Sequence, residues 1–144
     1  MVGASIVSAL HVLGVAMALA GITWRARALW RDDLSAALSA DNLWGLSALV
    51  MLGSGLIRLF YFDKPVEWYL MSPLFHAKMG VLVLVLLLEL WPMASLVMLR
   101  VRRARGDSGG LSRRIGLAWV STIEVVLVVL MPFLAAMMAR GVGM

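Results

Sequence analysis

Hydrophobic residues in this chain run in four long, nearly unbroken stretches separated by short polar breaks. The first stretch spans about residues 2–24 and stops at Arg25, Arg27 and Arg31. A second, about 43–62, closes at Asp63-Lys64-Pro65, and a third, about 73–99, ends at Arg100, Arg102, Arg103 and Arg105. Gly106-Asp107-Ser108-Gly109-Gly110 makes a flexible turn before Arg113 and Arg114, and the fourth stretch, about 115–139, ends at Arg140-Gly141. Each is near or above the ~20 residues a helix needs to cross a hydrocarbon core of about 30 Å. The runs are continuous rather than alternating, so they predict helices and not barrel strands. The expected fold is all-α: an integral membrane four-helix bundle forming one domain over residues 1–144.

Composition agrees, with 62% of the 144 residues hydrophobic and 15% charged. A soluble domain of this size carries more charge. There is no cysteine, which removes disulfides, thiolate metal sites and cysteine nucleophiles. The net charge of +5 does not point to nucleic acid, because most of it lies in two short loops. Arg25, Arg27, Arg31, Arg100, Arg102, Arg103, Arg105, Arg113 and Arg114 fall on one side, against Lys64 and Arg140 on the other. Such a bias places both basic loops in the cytoplasm and both termini outside, an N-out/C-out topology. Ala18-Leu19-Ala20 resembles a signal-peptidase site, but no basic residue precedes the apolar run, which is long for a signal core; retention is expected.

Six ionisable side chains lie inside the apolar stretches: His11, Arg58, His76, Lys78, Glu89 and Glu124. Hydrocarbon tolerates them only against protein, a partner or water, so each marks a candidate working part. In this topology His11 lies about 13 Å below the outer end of its helix, Arg58 about 6 Å, and His76 and Lys78 about 5–8 Å. These four gather in the outer half; Glu89 and Glu124 belong to the inner half. Two positions apart on a helix, His76 and Lys78 diverge by about 200°, so both cannot face one pocket squarely. Lys78 and Arg58 can also snorkel to headgroups. Glu89 is expected to be protonated or to pair with Arg113 or Arg114, and Glu124 to be neutral and hydrogen-bonded. His11, Gly14, Ala18 and Gly21 share a 3–4–3 stripe, which suits close helix packing or leaves room for a flat ligand beside the imidazole.

Two histidines on neighbouring helices can ligate a haem iron, with Arg and Lys holding its propionates. Zinc or copper would want more His, Cys or carboxylate ligands, and the eleven Met form no Met-x-x-Met cluster. No hydrolase motif is present.

Gly53-Ser54-Gly55-Leu56-Ile57-Arg58 with Tyr61-Phe62-Asp63-Lys64, Phe75-His76-Ala77-Lys78-Met79 and the ending Leu134–Gly143 resemble small bacterial membrane proteins grouped as domain of unknown function 2214. That resemblance covers nearly the whole chain and implies four transmembrane helices in a bacterial cytoplasmic membrane, without an activity. His11, Gly21 and Arg27 are more distantly similar to the first helix of HemJ-type protoporphyrinogen oxidases, and Phe75-His76-Ala77-Lys78 resembles their third-helix His-x-Lys element. Copper-resistance D-type membrane domains share the broader layout. This likeness implies haem b on His11, with His76, Lys78 and Arg27 as further site residues. The chain departs from that pattern at Arg25-Ala26, where the family has Leu-Pro, and lacks the motif's downstream histidine. Those departures touch porphyrinogen oxidation more than haem retention.

The first functional expectation is therefore a protein embedded in the lipid bilayer and binding haem b, with His11 and His76 as metal ligands and Arg58, Lys78 and Arg27 around the cofactor. It would transfer electrons or carry out a porphyrinogen-type oxidation. The alternative is a non-catalytic accessory or structural subunit, alone, as a homodimer or in a larger membrane complex. A small transporter or ion pathway is a third reading.

Overall fold

A computed structural model describes residues 2–62 and 65–142. Among the described residues the only regular elements are helices: α1 (Val2–Trp30), α2 (Leu34–Ile57) continued by a π-helical turn (Arg58–Phe62), a short α3 (Val66–Leu70), α4 (Pro73–Ala104) and α5 (Arg114–Ala139). Four of these, counting α2 with its π turn, are long and apolar enough to cross a membrane. Asp63 and Lys64, expected to close the second span, lie outside the described residues.

Three helices overrun their predicted limits at one end. α1 continues six residues past Trp24, α2 starts at Leu34 instead of 43, and α4 runs to Ala104 instead of 99. Hydropathy senses where lipid stops, whereas a helix stops only where its backbone is capped. The cap after α1 is a Schellman-type turn: the Asp33 amide donates to the Ala28 carbonyl at 2.9 Å, and Asp32 takes the left-handed conformation (φ 61°). Asp33 at once N-caps α2, accepting from the Ala36 amide at 2.9 Å. Arg114 completes the corner by donating to the carbonyls of Leu29 and Trp30 and pairing with Asp32 at 3.1 Å. A cation at a helix C-terminus also suits the helix dipole.

α1 packs against α2 and α5, and α5 against α4; α2 and α4 barely touch. Their direct link is at the end of the bundle that carries the basic loops, where Arg100 of α4 donates to the Leu38 carbonyl at 3.0 Å. We term this the arginine end and the opposite one the histidine end. The α1–α2 contact is close because of Gly14 and Gly21. A Cβ on Gly14 would stand 3.0 Å from the Met51 backbone nitrogen, and one on Gly21 would stand 2.8 Å from that of Trp44. With Ala18 fully buried between them, the small-residue stripe of α1 is a helix-packing seam.

The buried side chains form layers. A middle layer joins Ala18, Ile22, Trp44, Val85, Val128 and Met131. Two clusters close the arginine end: Ala28, Leu29, Ala37, Leu117 and Ala118, and beside them Leu34, Leu96 and Leu99. Leu49, Leu87, Val126 and Phe133 are among many large apolar side chains left on the outside, as expected where the surrounding solvent is lipid.

Candidate functional site

Because α2 and α4 separate toward the histidine end, a cleft of about 910 Å³ lies there, lined by α1, α2, α4 and α5 and by Trp68 and Tyr69 of α3. His11, Arg58 and Lys78 line it. His11 is fixed by α2: its Nδ1 lies 3.0 Å from the Met51 carbonyl oxygen and 3.1 Å from Ser54 Oγ. The Ser54 hydroxyl is itself turned back to the Val50 carbonyl at 2.5 Å. A carbonyl can only accept, so Nδ1 carries the proton and the lone pair resides on Nε2. Gly55 makes the space, since a Cβ there would sit 3.2 Å from His11 Cε1. Arg58 opens the π-helical turn, a local widening of the helix that recurs at functional sites.

The structure therefore brings His11, Arg58 and Lys78 around one cavity, but not His76 or Arg27. His76 is exposed on the outside of α4, its Nδ1 donating to the Ser72 carbonyl at 3.0 Å and its ring edge-on to Phe75. The expectation of two imidazoles facing one cavity is not met, because Lys78 takes the inward register on α4 and His76 lies about 200° from it. Arg27 is exposed too, about 24 Å along α1 from His11, in a separate hollow with Arg31 and Asp33.

A second constellation lies toward the arginine end. Arg25, expected as a cytoplasmic flank, is instead fully buried, and this overturns its assignment to the first loop. Its Nε donates to Ser121 Oγ at 3.2 Å, Nη1 to Asp41 at 3.0 Å and Glu89 at 2.8 Å, and Nη2 to Glu89 at 2.6 Å and Glu124 at 2.8 Å. All five N–H donors of the guanidinium are thereby used. The Trp44 ring lies 5.9 Å from the guanidinium carbon, within cation–π range. Arg100 donates to the other Asp41 oxygen at 2.8 Å. The expected pairing of Glu89 with Arg113 or Arg114 is replaced by the Arg25 fork, and Arg114 is committed to Asp32 and the end of α1. Glu124 is hydrogen-bonded as expected through Oε2, while its buried Oε1 has no partner among the described residues.

Every member of this cluster takes one place in the stripe its helix buries. Arg25 extends the Gly14, Ala18, Gly21 series by four residues; Asp41 falls between Ala37 and Trp44; Glu89 between Val85 and Pro92; Glu124 between Ser121 and Val128. The 3–4 spacing that predicts buried apolar positions thus also predicts these charged ones. That signal was in the sequence, masked by reading arginine as the end of a span. Among the described residues no three His, Cys, Asp or Glu side chains are placed to hold a metal ion.

An α-helical bundle with four candidate membrane spans, an ionic cluster in its core and a cleft at one end is a polytopic membrane protein. The chain belongs to the family described as "Predicted membrane protein (DUF2214)", whose model matches residues 4–143. No curated protein and no solved structure matches it.

Proposed function

We propose that this protein binds haem b in the cleft at the histidine end, toward the outer face of a bacterial cytoplasmic membrane, and serves electron transfer. The observation that carries this reading is the His11 tautomer. A metal-ligating histidine characteristically donates its other ring N–H to a carbonyl or carboxylate, which orients the ring and raises its basicity. His11 makes that bond to Met51 on the wall of an apolar cavity. Gly55 lets the His11 ring sit against α2, since a Cβ there would crowd its Cε1 at 3.2 Å. Arg58 and Lys78 line the same cleft and suit the two propionates. His11 is the one histidine this reading uses as an iron ligand. Met79 and Met131 also line the cleft, and a thioether from either could join His11 in holding the iron. Bound there, haem supplies a one-electron couple; the protein's part is to hold it, orient it and shield it from water.

The test is the visible spectrum of protein purified in detergent from cells with ample haem. A Soret band is expected, lost in His11→Ala and kept in His76→Ala. Colourless wild-type protein sinks the reading. It would instead favour a non-catalytic subunit, a role to which the four-helix ionic cluster is suited.

A further inference from the structure

Arg25, Asp41, Glu89 and Glu124 come one from each spanning helix and meet between two apolar layers. Their charges do not cancel. Two guanidinium groups, Arg25 and Arg100, face three carboxylates, and no other cation is paired with any of the three among the described residues. Asp41 is compensated, with one oxygen on each arginine. Glu89 takes both terminal nitrogens of Arg25. Glu124 shares Nη2 with Glu89 through one oxygen, while its other oxygen, in a side chain with no exposure, meets no donor. A bare anion oxygen in that position is among the most costly arrangements a protein interior can hold.

We propose that this cluster is a proton-binding site, in which Glu124 carries a proton at neutral pH and exchanges it through the α2–α4 seam. The proton resides on a Glu124 oxygen. Two carboxylates sharing one donor nitrogen cannot both stay ionised cheaply, so one proton serves the pair Glu89 and Glu124. When that proton leaves, Glu124 becomes a carboxylate and the cluster gains a net negative charge. Its way out is set by exposure. Glu89 and Asp41 keep 14% and 11% of their side chains accessible, and Arg100, which bridges from α4 to Asp41 at the arginine end, is 37% exposed. The middle layer of Ala18, Ile22, Trp44, Val85, Val128 and Met131 seals the site from the cleft. The exchange path we propose runs toward the arginine end, past Asp41 and the exposed Arg100. This site stands independently of any ligand on His11.

Infrared spectroscopy of the full chain in lipid nanodiscs tests the proposal. The carbonyl stretch of a neutral carboxylic acid is expected at neutral pH, shifted in heavy water and fading reversibly as pH rises. Glu124→Gln should abolish it. Glu89→Gln should abolish it too, because with one acid fewer the two arginines balance the remaining carboxylates and Glu124 ionises. The exposed Glu67→Gln leaves it unchanged, and so does His11→Ala, which separates this outcome from that of the haem reading. Should Glu124→Gln fail to fold, Glu89→Gln and the wild-type titration still decide. Absence of the band from folded wild-type protein, or its persistence in either folded variant, Glu124→Gln or Glu89→Gln, overturns the proposal.

Discussion

Replacing Arg25 by leucine tests how much of the bundle depends on its ionic cluster. The substitution removes five donors at once: those to Ser121 and Asp41, two to Glu89, and one to Glu124. Asp41 keeps Arg100 at 2.8 Å, so the damage falls on Glu89 and Glu124, which lose their cation. Four bonds to carboxylates, at about 1.5–3 kcal/mol each, would sum to an upper bound near 6–12 kcal/mol. Glu89, the member of the pair left ionised, escapes most of that by taking up a proton of its own, which leaves the ~3–5 kcal/mol typical of breaking a buried ion pair from one side. Reversible unfolding in mixed micelles, followed by far-ultraviolet circular dichroism, measures the difference. Arg25→Lys should fall between leucine and wild type, since three donors without a planar fork cannot serve three carboxylates. Leucine at positions 25, 89 and 124 together should recover at least half the loss, because apolar replacement of a whole buried ionic group is often neutral or stabilising. A single Arg25→Leu variant within about 0.5 kcal/mol of wild type, as for an exposed substitution, would refute the reasoning. So would a triple variant no better than the single one.

Other consequences follow from the helix contacts. Gly21→Ala forces a methyl group against the Trp44 backbone at 2.8 Å; a loss of about 1–3 kcal/mol is expected in the same unfolding assay. Gly53→Ala, with nothing within 4 Å, should be neutral or gain up to about 1 kcal/mol; equal effects at the two sites would contradict the packing seam. Asp33→Ala removes the cap of α2 and should lower stability by about 1 kcal/mol, with faster amide exchange at Ala36 as its local signature.

Four spans were legible because lipid imposes a length and a hydropathy that few soluble sequences share. Their ends were less so. Residues 34–42 of α2, with Ser35, Ser39, Asp41 and Asn42, look like a loop to a hydropathy reading, yet Leu34, Ala37 and Ala40 are buried at helical spacing. Of the cleft, His11, Arg58 and Lys78 were found because an ionisable residue within an apolar run stands out. The inward register of Lys78 and the outward one of His76 follow from the helical angle between them, but only a fixed neighbour decides which of the two points in. Arg25 was missed because at the edge of an apolar run a snorkelling arginine and a buried one look alike. What distinguishes them is the partner set Asp41, Glu89 and Glu124, which lie on three other helices and converge only in the folded bundle.

His11 and Arg25 are fourteen residues apart on the same face of α1, about 21 Å along its axis. Between them the side chains of Ala18, Ile22, Trp44, Val85, Val128 and Met131 form an apolar layer. A layer packed in this way offers no partner to a migrating proton, so the two sites should titrate independently. The backbone seam makes mechanical coupling unfavourable as well: with Gly14 and Gly21 against α2, α1 cannot shift without carrying α2 along. The imidazole nitrogen resonances of His11, one of only two histidines in the chain, provide the readout. In Glu124→Gln they should keep their wild-type chemical shifts and pH response, even though the infrared carboxylic acid signal is gone. A displaced His11 titration in a variant that remains fully folded would mean that the layer transmits, and that the cleft and the ionic cluster form one coupled device.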